Sequence, residues 1–307
     1  MTEPTLHHIA CPAGHTMAYW QWGAPTAAHA VVCVHGLTRQ GRDFDALAQQ
    51  LCAQASAPIR VICPDVAGRG QSGWLADPTL YQIPTYAADM AGLLAHLHAQ
   101  APLATLDWVG TSMGGLIGLA VCGAGLPLPA PVRRLVLNDV GPRIEWVSLQ
   151  RIAQYVGQPL TPGGHFASLQ AAADALWTIS SSFGPHTPAQ WLALSRHMVK
   201  PVPASDASDS AALMLHYDPA IGAPFRAMTP EAAQAGEAAL WALYDAINAP
   251  TLLLRGEHSD LLSPATAQEM SQRGPRARLL EFAGVGHAPT LVMPQQSQVV
   301  ADFLLAA

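Results

Sequence analysis

The chain has few charged residues and no clustering of positive charge. Only 12% of its 307 residues are charged, and the formal net charge is −6. Nucleic acids and anionic membranes bind clustered Lys and Arg, and basic pairs such as Arg133-Arg134 are too short for this purpose. The composition therefore argues against both partners. The 50% hydrophobic content is sufficient for a large buried core.

Long apolar runs and a charged leader are also lacking. The first residues, MTEPTLHHIACPAG, do not place a basic region before an apolar one, so we expect no secretory signal. No apolar run reaches the length of a bilayer-spanning helix. The sequence predicts a protein without a membrane segment.

The cysteines lack the spacing of a disulfide framework or a zinc site. There are five, an odd number, and none forms a CxxC pair. The thirteen histidines include no HExxH or similar cluster. We therefore predict no structural disulfide, no metal and a reducing, cytoplasmic location.

Short apolar runs alternate with helical patterns along most of the chain. A run of this kind without polar alternation is typical of a strand buried on both faces, as in a parallel sheet. Helical spacing follows several of these runs, so the alternation predicts an α/β fold with a doubly wound, mostly parallel sheet. The predicted strands are AVVCVHG (30–36), IRVICPD (59–65), TLDWVG (105–110), VRRLVLND (132–139), APTLLLRGE (249–257) and ARLLEFAG (277–284).

The alternation stops in the middle of the chain. Residues 142–235 are rich in Trp, Ala, Pro, Ser and His and show only helix-like stretches. We interpret them as an inserted helical segment, with the core formed by 1–141 and 236–307. The stretch 200–210, in which Pro, Ser and Asp are concentrated, is predicted to be the most flexible.

Ser112 lies in a G-x-S-x-G pattern, Gly110-Thr111-Ser112-Met113-Gly114. The pattern follows a predicted strand and precedes a predicted helix, the context of a strained nucleophile turn in which small residues two positions away relieve crowding. The Met113 amide is then free to donate to an oxyanion at the helix start. The alternative, a tight packing turn without chemistry, would not need the serine.

A serine nucleophile needs a base, and His287 is the best candidate. It lies in the glycine-rich stretch FAGVGHAPTLVMP (282–294), directly after the last predicted strand. Loops that follow parallel strands lie at one edge of the sheet, which is also the edge predicted for Ser112.

Three carboxylates follow predicted strands and could orient the histidine: Asp139, Glu257 and Asp260. Their positions along the chain do not distinguish them. Asp260 is favoured because it lies in a turn before a helix start. Asp139 remains the competitor, with the alternative role of binding backbone amides in its turn, and Glu257 is interpreted as a surface or supporting group.

The order of the segments VHGLT, DVAGRGQS, GTSMGG, RGEHSD and GVGHAPTL resembles that of the α/β-hydrolase superfamily, in the branch with a helical cap. The resemblance extends over about residues 30 to 303. It implies that Leu37 supplies an oxyanion-hole amide beside Met113, and that His35 shapes this loop. The usual proline of the family's D-x-P-G-x-G-x-S segment is replaced by Ala67. The family most often places its acid after the penultimate strand, which favours Asp260, although some branches place it at the position of Asp139.

The resemblance and the serine together predict a serine hydrolase that cleaves small to medium, neutral, apolar carboxylic esters through an acyl-enzyme, without cofactor or metal. Lactones and hydroxyalkanoate oligomers are compatible substrates, because the chemistry is identical. A carbon–carbon bond hydrolase or a cofactor-free perhydrolase would use the same residues. A non-catalytic ligand-binding protein of the same fold is the alternative from another class.

Overall fold

The computed structural model describes residues 3–203 and 212–306. The strands in these ranges are β1 (Thr5–Ala10), β2 (Thr16–Gly23), β3 (His29–Val34), β4 (Ile59–Pro64), β5 (Thr105–Thr111), β6 (Val132–Asn138), β7 (His165–Phe166), β8 (Val199–Pro201), β9 (Leu213–Leu215), β10 (Thr251–Gly256) and β11 (Arg278–Phe282). The α-helices are α1 (Asp45–Gln54), α2 (Ile83–Gln100), α3 (Met113–Gly123), α4 (Trp146–Tyr155), α5 (Leu169–Ser180), α6 (Pro188–Arg196), α7 (Ala223–Ala227), α8 (Pro230–Asp245), α9 (Pro264–Met270) and α10 (Pro294–Leu305).

Eight of the strands form one sheet in the order β1-β2-β4-β3-β5-β6-β10-β11. The six strands from β4 to β11 in this order run parallel, and they are the six that the apolar runs predict. The parallel-sheet prediction is therefore confirmed. The sequence did not predict β1 and β2, which add an antiparallel hairpin to one side.

Helices cover both faces of this sheet, as expected for strands without polar alternation. On one face α1 packs against α10, and on the other α3 packs against α2 and α8. A separate hydrophobic cluster fills the space under each layer. All six residues of β4 and of β10 are buried, which explains why these strands read as continuous apolar runs.

The inserted segment between β6 and α8 is not purely helical. It contains α4 to α7 and also a three-stranded antiparallel sheet in the order β7-β9-β8. These strands have only two or three residues each, too few for a period-two pattern to be recognised in the sequence. The prediction of helices alone is wrong here.

The predicted end of the insertion, residue 235, falls inside α8, which begins at Pro230 and packs on α3 of the core. The predicted flexible stretch, residues 200–210, overlaps β8 at its start, and its residues from 204 onward lie outside the described ranges. All five cysteines are free. Across residues 3–203 and 212–306, no helix has both the length and the hydropathy to span a membrane.

Candidate active site

Ser112 occupies a sharp turn between the end of β5 and the start of α3. Its backbone angles are φ 52° and ψ −117°, in a region that residues other than glycine rarely adopt. The Ser112 amide donates to the Asn138 carbonyl of β6 at 3.0 Å, which holds the turn against the neighbouring strand. The strained turn expected from the sequence is present.

The glycines on either side of Ser112 are sterically required. A Cβ on Gly110 would lie 2.3 Å from the carbonyl oxygen of Gly114, and a Cβ on Gly114 would lie 2.0 Å from the carbonyl oxygen of Val34. Both distances are far below van der Waals contact. The backbone can therefore turn from strand to helix at Ser112 only if both positions lack a side chain.

His287 lies in the loop after β11 and points at Ser112. Its Nε2 is 2.9 Å from Ser112 Oγ, and its side chain is 18% exposed. The inserted segment holds this loop in place, because the Gly286 amide donates to the Ser182 carbonyl at 2.6 Å and Ser182 Oγ donates to the His287 carbonyl at 3.1 Å.

Asp139 is the carboxylate that contacts His287. It follows β6, is fully buried, and its Oδ2 is 2.8 Å from His287 Nδ1. Its Oδ1 accepts from the Gly256 amide at 2.9 Å, so the two oxygens have separate partners. With Nδ1–H donating to Asp139, Nε2 is left as the acceptor for the serine proton. The three side chains have the geometry of a Ser-His-Asp triad.

The structure corrects the preference for Asp260. Its carboxylate lies 2.5 Å from the Arg151 guanidinium of α4 and is 53% exposed. The Asp260 carbonyl also accepts from Ser148 Oγ, so the residue faces the inserted segment and not His287. Glu257, as expected, is a supporting group, since its Oε2 accepts from the Gly284 amide at 2.8 Å.

The position of Asp139 follows from the strand order. β6 lies next to β5, which carries Ser112, and the Asp139 backbone has φ 58°, a left-handed conformation that Asp tolerates better than most residues. The residue therefore turns back over the sheet edge. The backbone amide that Asp139 binds is that of Gly256 at the end of β10, and not an amide of its own turn as the alternative role supposed.

The two residues proposed for the oxyanion hole lie at the same edge. Met113 is the first residue of α3, where amides have no partner inside the helix and the helix dipole is positive. A Cβ on Gly36, the residue before Leu37, would lie 3.7 Å from Ser112 Cβ, so this loop runs against the serine.

Arg69 is a further site residue that the sequence did not single out. It is fully buried, and its guanidinium donates to the Leu37 carbonyl at 2.8 Å, to the Ala67 carbonyl at 2.6 Å and to the Tyr86 hydroxyl at 2.9 Å. Its Nη2 also lies 3.5 Å from Met113 Sδ. Arg69 therefore contacts both residues of the predicted oxyanion hole. The charged residue within the glycine-rich D-x-x-G-R-G stretch was the only sequence signal for it.

His35 shapes the loop before Leu37, as the resemblance implied. Its Nδ1 donates to the Gly36 carbonyl at 2.7 Å, and its Nε2 accepts from the Val66 amide at 2.9 Å. Burial lowers the pKa of His35 to about 3, so the ring is neutral. Nearby, burial raises the pKa of Asp65 to about 6, although the Gln71 and Gly41 amides bind its carboxylate.

The inserted segment lies beside this edge of the sheet and brings an aromatic cluster. The Trp191 ring lies 5.0 Å from that of Trp177 and 6.3 Å from that of Phe183. Trp191 and Phe183 belong to the segment's own small core, whereas Trp177 is 36% exposed. Arg39, two residues after Leu37, donates to the Leu194 carbonyl of α6 at 3.2 Å. The segment is thus anchored both to the loop of Leu37 and to the loop of His287.

Known proteins resemble this chain over nearly its whole length. The profile of the alpha/beta hydrolase family matches residues 31–303. The chain is 47% identical to a 3-hydroxybutyrate-oligomer hydrolase of Cupriavidus necator, over 99% of both chains.

Two solved structures show the same fold. An alpha/beta hydrolase from Novosphingobium aromaticivorans is 32% identical, with a TM-score of 0.81 and 99% of each chain covered. An esterase from Mycobacterium tuberculosis, 22% identical, has a TM-score of 0.66 over 98% of this chain and 89% of its own; at this identity it supports the fold alone.

Proposed function

The chain belongs to the alpha/beta hydrolase family and hydrolyses ester bonds, and we propose that it does so with a triad of Ser112, His287 and Asp139. The observation that carries the proposal is the position of one imidazole between two partners. His287 lies 2.9 Å from the serine hydroxyl and 2.8 Å from a buried carboxylate. A serine hydroxyl becomes an effective nucleophile when a base so placed accepts its proton.

The reaction is acyl transfer to water in two steps. Ser112 Oγ attacks the ester carbonyl while His287 Nε2 takes its proton, and the same proton then goes to the leaving alcohol. His287 next removes a proton from water, which attacks the acyl-enzyme, and returns it to Ser112 as the acid leaves. Asp139 stabilises the imidazolium that forms in each step. Ser112 and water are the two nucleophiles and His287 transfers the protons, so the proposed reaction needs neither metal nor organic cofactor.

The amides of Leu37 and Met113 are the proposed oxyanion donors. Each such donor contributes roughly 3–4 kcal/mol to the stability of the transition state in comparable hydrolases. Met113 supplies the first amide of α3, and the Leu37 loop lies against Ser112. His35 binds the carbonyl of Gly36, which shares a peptide plane with the Leu37 amide, and Arg69 binds the carbonyl of Leu37 itself.

We propose oligomers of 3-hydroxybutyrate as the substrate class. The support is the 47% identity to a 3-hydroxybutyrate-oligomer hydrolase along essentially the whole chain. Each linkage in such an oligomer is an ordinary carboxylic ester between small apolar units. The inserted segment between β6 and α8 serves as the cap over the site because it is anchored to both the Leu37 and His287 loops. The cytoplasm is the proposed compartment, since all five cysteines are free thiols.

The experiment compares two substrate sets with the wild-type protein and Ser112→Ala. The sets are the dimer and trimer of 3-hydroxybutyrate and p-nitrophenyl esters of graded acyl length. We expect release of 3-hydroxybutyrate by the wild type and no turnover of either set by Ser112→Ala. Full activity of Ser112→Ala would overturn the triad. If the wild type hydrolyses p-nitrophenyl esters but none of the oligomers, the proposed substrate class is wrong and the triad is unaffected.

A further inference from the structure

A second cluster of reactive side chains lies away from Ser112, at the turn between β1 and β2. Cys11 and His15 bracket this turn, and the Cys11 amide donates to the His15 carbonyl at 2.9 Å. The Gly14 amide donates back to the Cys11 carbonyl at 3.0 Å. The tight turn therefore brings two side chains, four positions apart in sequence, to the same side. Asp89, from the middle of α2, completes the cluster.

The three side chains offer one ligand atom each, and these atoms all lie within 4.8 Å of one another. They are a thiol sulfur, an imidazole nitrogen and a carboxylate oxygen. The side chains of His15 and Asp89 are only 3% and 2% exposed, and Cys11 is also buried. The cluster is thus enclosed by the protein and shielded from bulk water.

Several polar atoms of the cluster lack a hydrogen bond. His15 Nε2 lies 3.1 Å from Asp89 Oδ2, but neither atom is in a hydrogen bond, and His15 Nδ1 is also without one. A buried polar group left in this way costs free energy, and buried groups nearly always find a partner. Asp89 and one nitrogen of the His15 ring lie among the ligand atoms of the cluster, so an ion placed between them would give each a partner.

We propose that Cys11, His15 and Asp89 bind a divalent transition metal ion of the zinc type. A thiolate, an imidazole and a carboxylate are the three ligand types that zinc accepts. Bonds of about 2.0–2.3 Å in a tetrahedral site put ligand atoms roughly 3.3–3.8 Å apart. The separations in the cluster lie on both sides of this range, since His15 Nε2 and Asp89 Oδ2 are 3.1 Å apart and the three ligand atoms lie within 4.8 Å of one another. Water supplies the fourth ligand.

The charges balance in the metal-bound state. The ion replaces the thiol proton of Cys11, which leaves to solvent, so that thiolate and carboxylate together carry two negative charges. A divalent cation neutralises both, and His15 binds through a neutral nitrogen. The ion thereby connects the β1–β2 turn to α2. Its role is to stabilise the fold, since the cluster contributes nothing to the Ser112 site.

The test measures metal content and ligand chemistry in the full-length protein. Wild type, Cys11→Ser, Asp89→Asn and the control Cys52→Ser are produced in zinc-supplemented medium and analysed for bound metal. Cys52 is another free cysteine, placed on α1, on the opposite face of the sheet from α2. We expect roughly one zinc ion per chain in wild type and Cys52→Ser, and at least a tenfold loss of occupancy in the other two variants.

Cobalt gives a second readout that does not depend on the variants. Wild-type protein is unfolded in the presence of a chelator and then refolded with Co²⁺. It is expected to show the near-ultraviolet absorption of a thiolate–cobalt bond and to melt several degrees higher than the metal-free protein. Folded wild-type protein that holds no zinc and gives no thiolate band would overturn the proposal, whether or not Cys11→Ser folds. A Cys11→Ser protein with the same zinc content as the wild type would overturn it as well, because the ion would then be bound at another site.

Discussion

Asp139 and Asp260, two aspartates at the same edge of the sheet, have side chains that point in different directions. Asp139, Glu257 and Asp260 all follow parallel strands and therefore lie at one edge of the sheet, so sequence position could not separate them. The separation depends on side-chain direction. Asp139 turns back toward His287 through a left-handed backbone, whereas Asp260 turns outward to Arg151. Neither direction is encoded in an apolar or charge pattern.

The two aspartates provide a matched pair of variants. We expect Asp139→Asn to reduce kcat for ester hydrolysis by about 10⁴-fold, because the amide stabilises the wrong tautomer and not the imidazolium. Asp260→Asn removes only a half-exposed ion pair and is expected to change kcat by no more than a few-fold. Steady-state kinetics on one ester compare them. The opposite order of effects would restore Asp260 as the acid.

The glycines around Ser112 can be tested in the same way. Gly114→Ala places a methyl group 2.0 Å from the Val34 carbonyl oxygen, so the turn must shift, and we expect at least a tenfold loss of kcat together with a lower melting temperature. Gly92→Ala, in the middle of α2, meets no atom within 4 Å and is expected to stabilise the helix by up to about 1 kcal/mol without loss of activity. Equal behaviour of the two variants would contradict the steric account.

At the scale of elements, the glycine-rich loop after β4 connects parts of the site that are distant in sequence. Through Arg69 it reaches the Leu37 loop, the start of α3 at Met113 and the hydroxyl of Tyr86 on α2. The planar guanidinium serves all of these partners at once, which the ammonium group of a lysine cannot do. Arg69 therefore fixes the Leu37 loop and the Met113 side chain relative to each other, and we expect it to help position the proposed oxyanion hole.

Arg69→Lys is therefore expected to lower kcat by roughly tenfold or more while KM changes much less, since the oxyanion contacts strengthen only in the transition state. Arg278→Lys, at an exposed position on β11, is the control and is expected to behave as wild type. Kinetics with a single ester give both parameters. An Arg69→Lys protein with raised KM and unchanged kcat would place Arg69 in substrate binding instead.

The sequence predicts the strands whose residues form a simple apolar pattern. The six parallel strands are continuous apolar runs, and all six were identified. The β1–β2 hairpin mixes exposed and buried residues and includes two histidines, so it lacks the continuous apolar pattern of the other strands. The strands of the inserted segment are shorter than any usable window. Pairing across long sequence distances, as between Cys11 and Asp89, leaves no local pattern at all.

At the scale of the whole molecule, buried titratable groups connect stability to pH. His35 is neutral in the folded protein, with its pKa lowered from 6.5 to about 3 by burial. The unfolded chain takes up this proton first as the pH falls, so the stability is complete above about pH 6.5 and is lost toward pH 3. Asp65 acts in the opposite direction, because its pKa is raised to about 6 and acidification relieves its buried charge.

His35→Gln separates the two effects, since the amide can accept from the Val66 amide but does not titrate. We expect the free energy of unfolding of the wild type, relative to that of His35→Gln, to fall by on the order of 2 kcal/mol between pH 7 and pH 5. Urea unfolding at the two pH values measures it, and the contribution of Asp65 cancels in the difference. A difference that is independent of pH would show that His35 titrates normally.

Labelling of the active-site serine shows directly whether Ser112 forms the acyl-enzyme. The wild-type protein is incubated with a fluorophosphonate, and intact mass and peptide mapping locate the adduct. The account predicts a single adduct per chain, on Ser112, with loss of ester hydrolysis in proportion to labelling and no adduct in Ser112→Ala. A fully active protein that remains unlabelled, or an adduct on another serine that removes the activity, would contradict it.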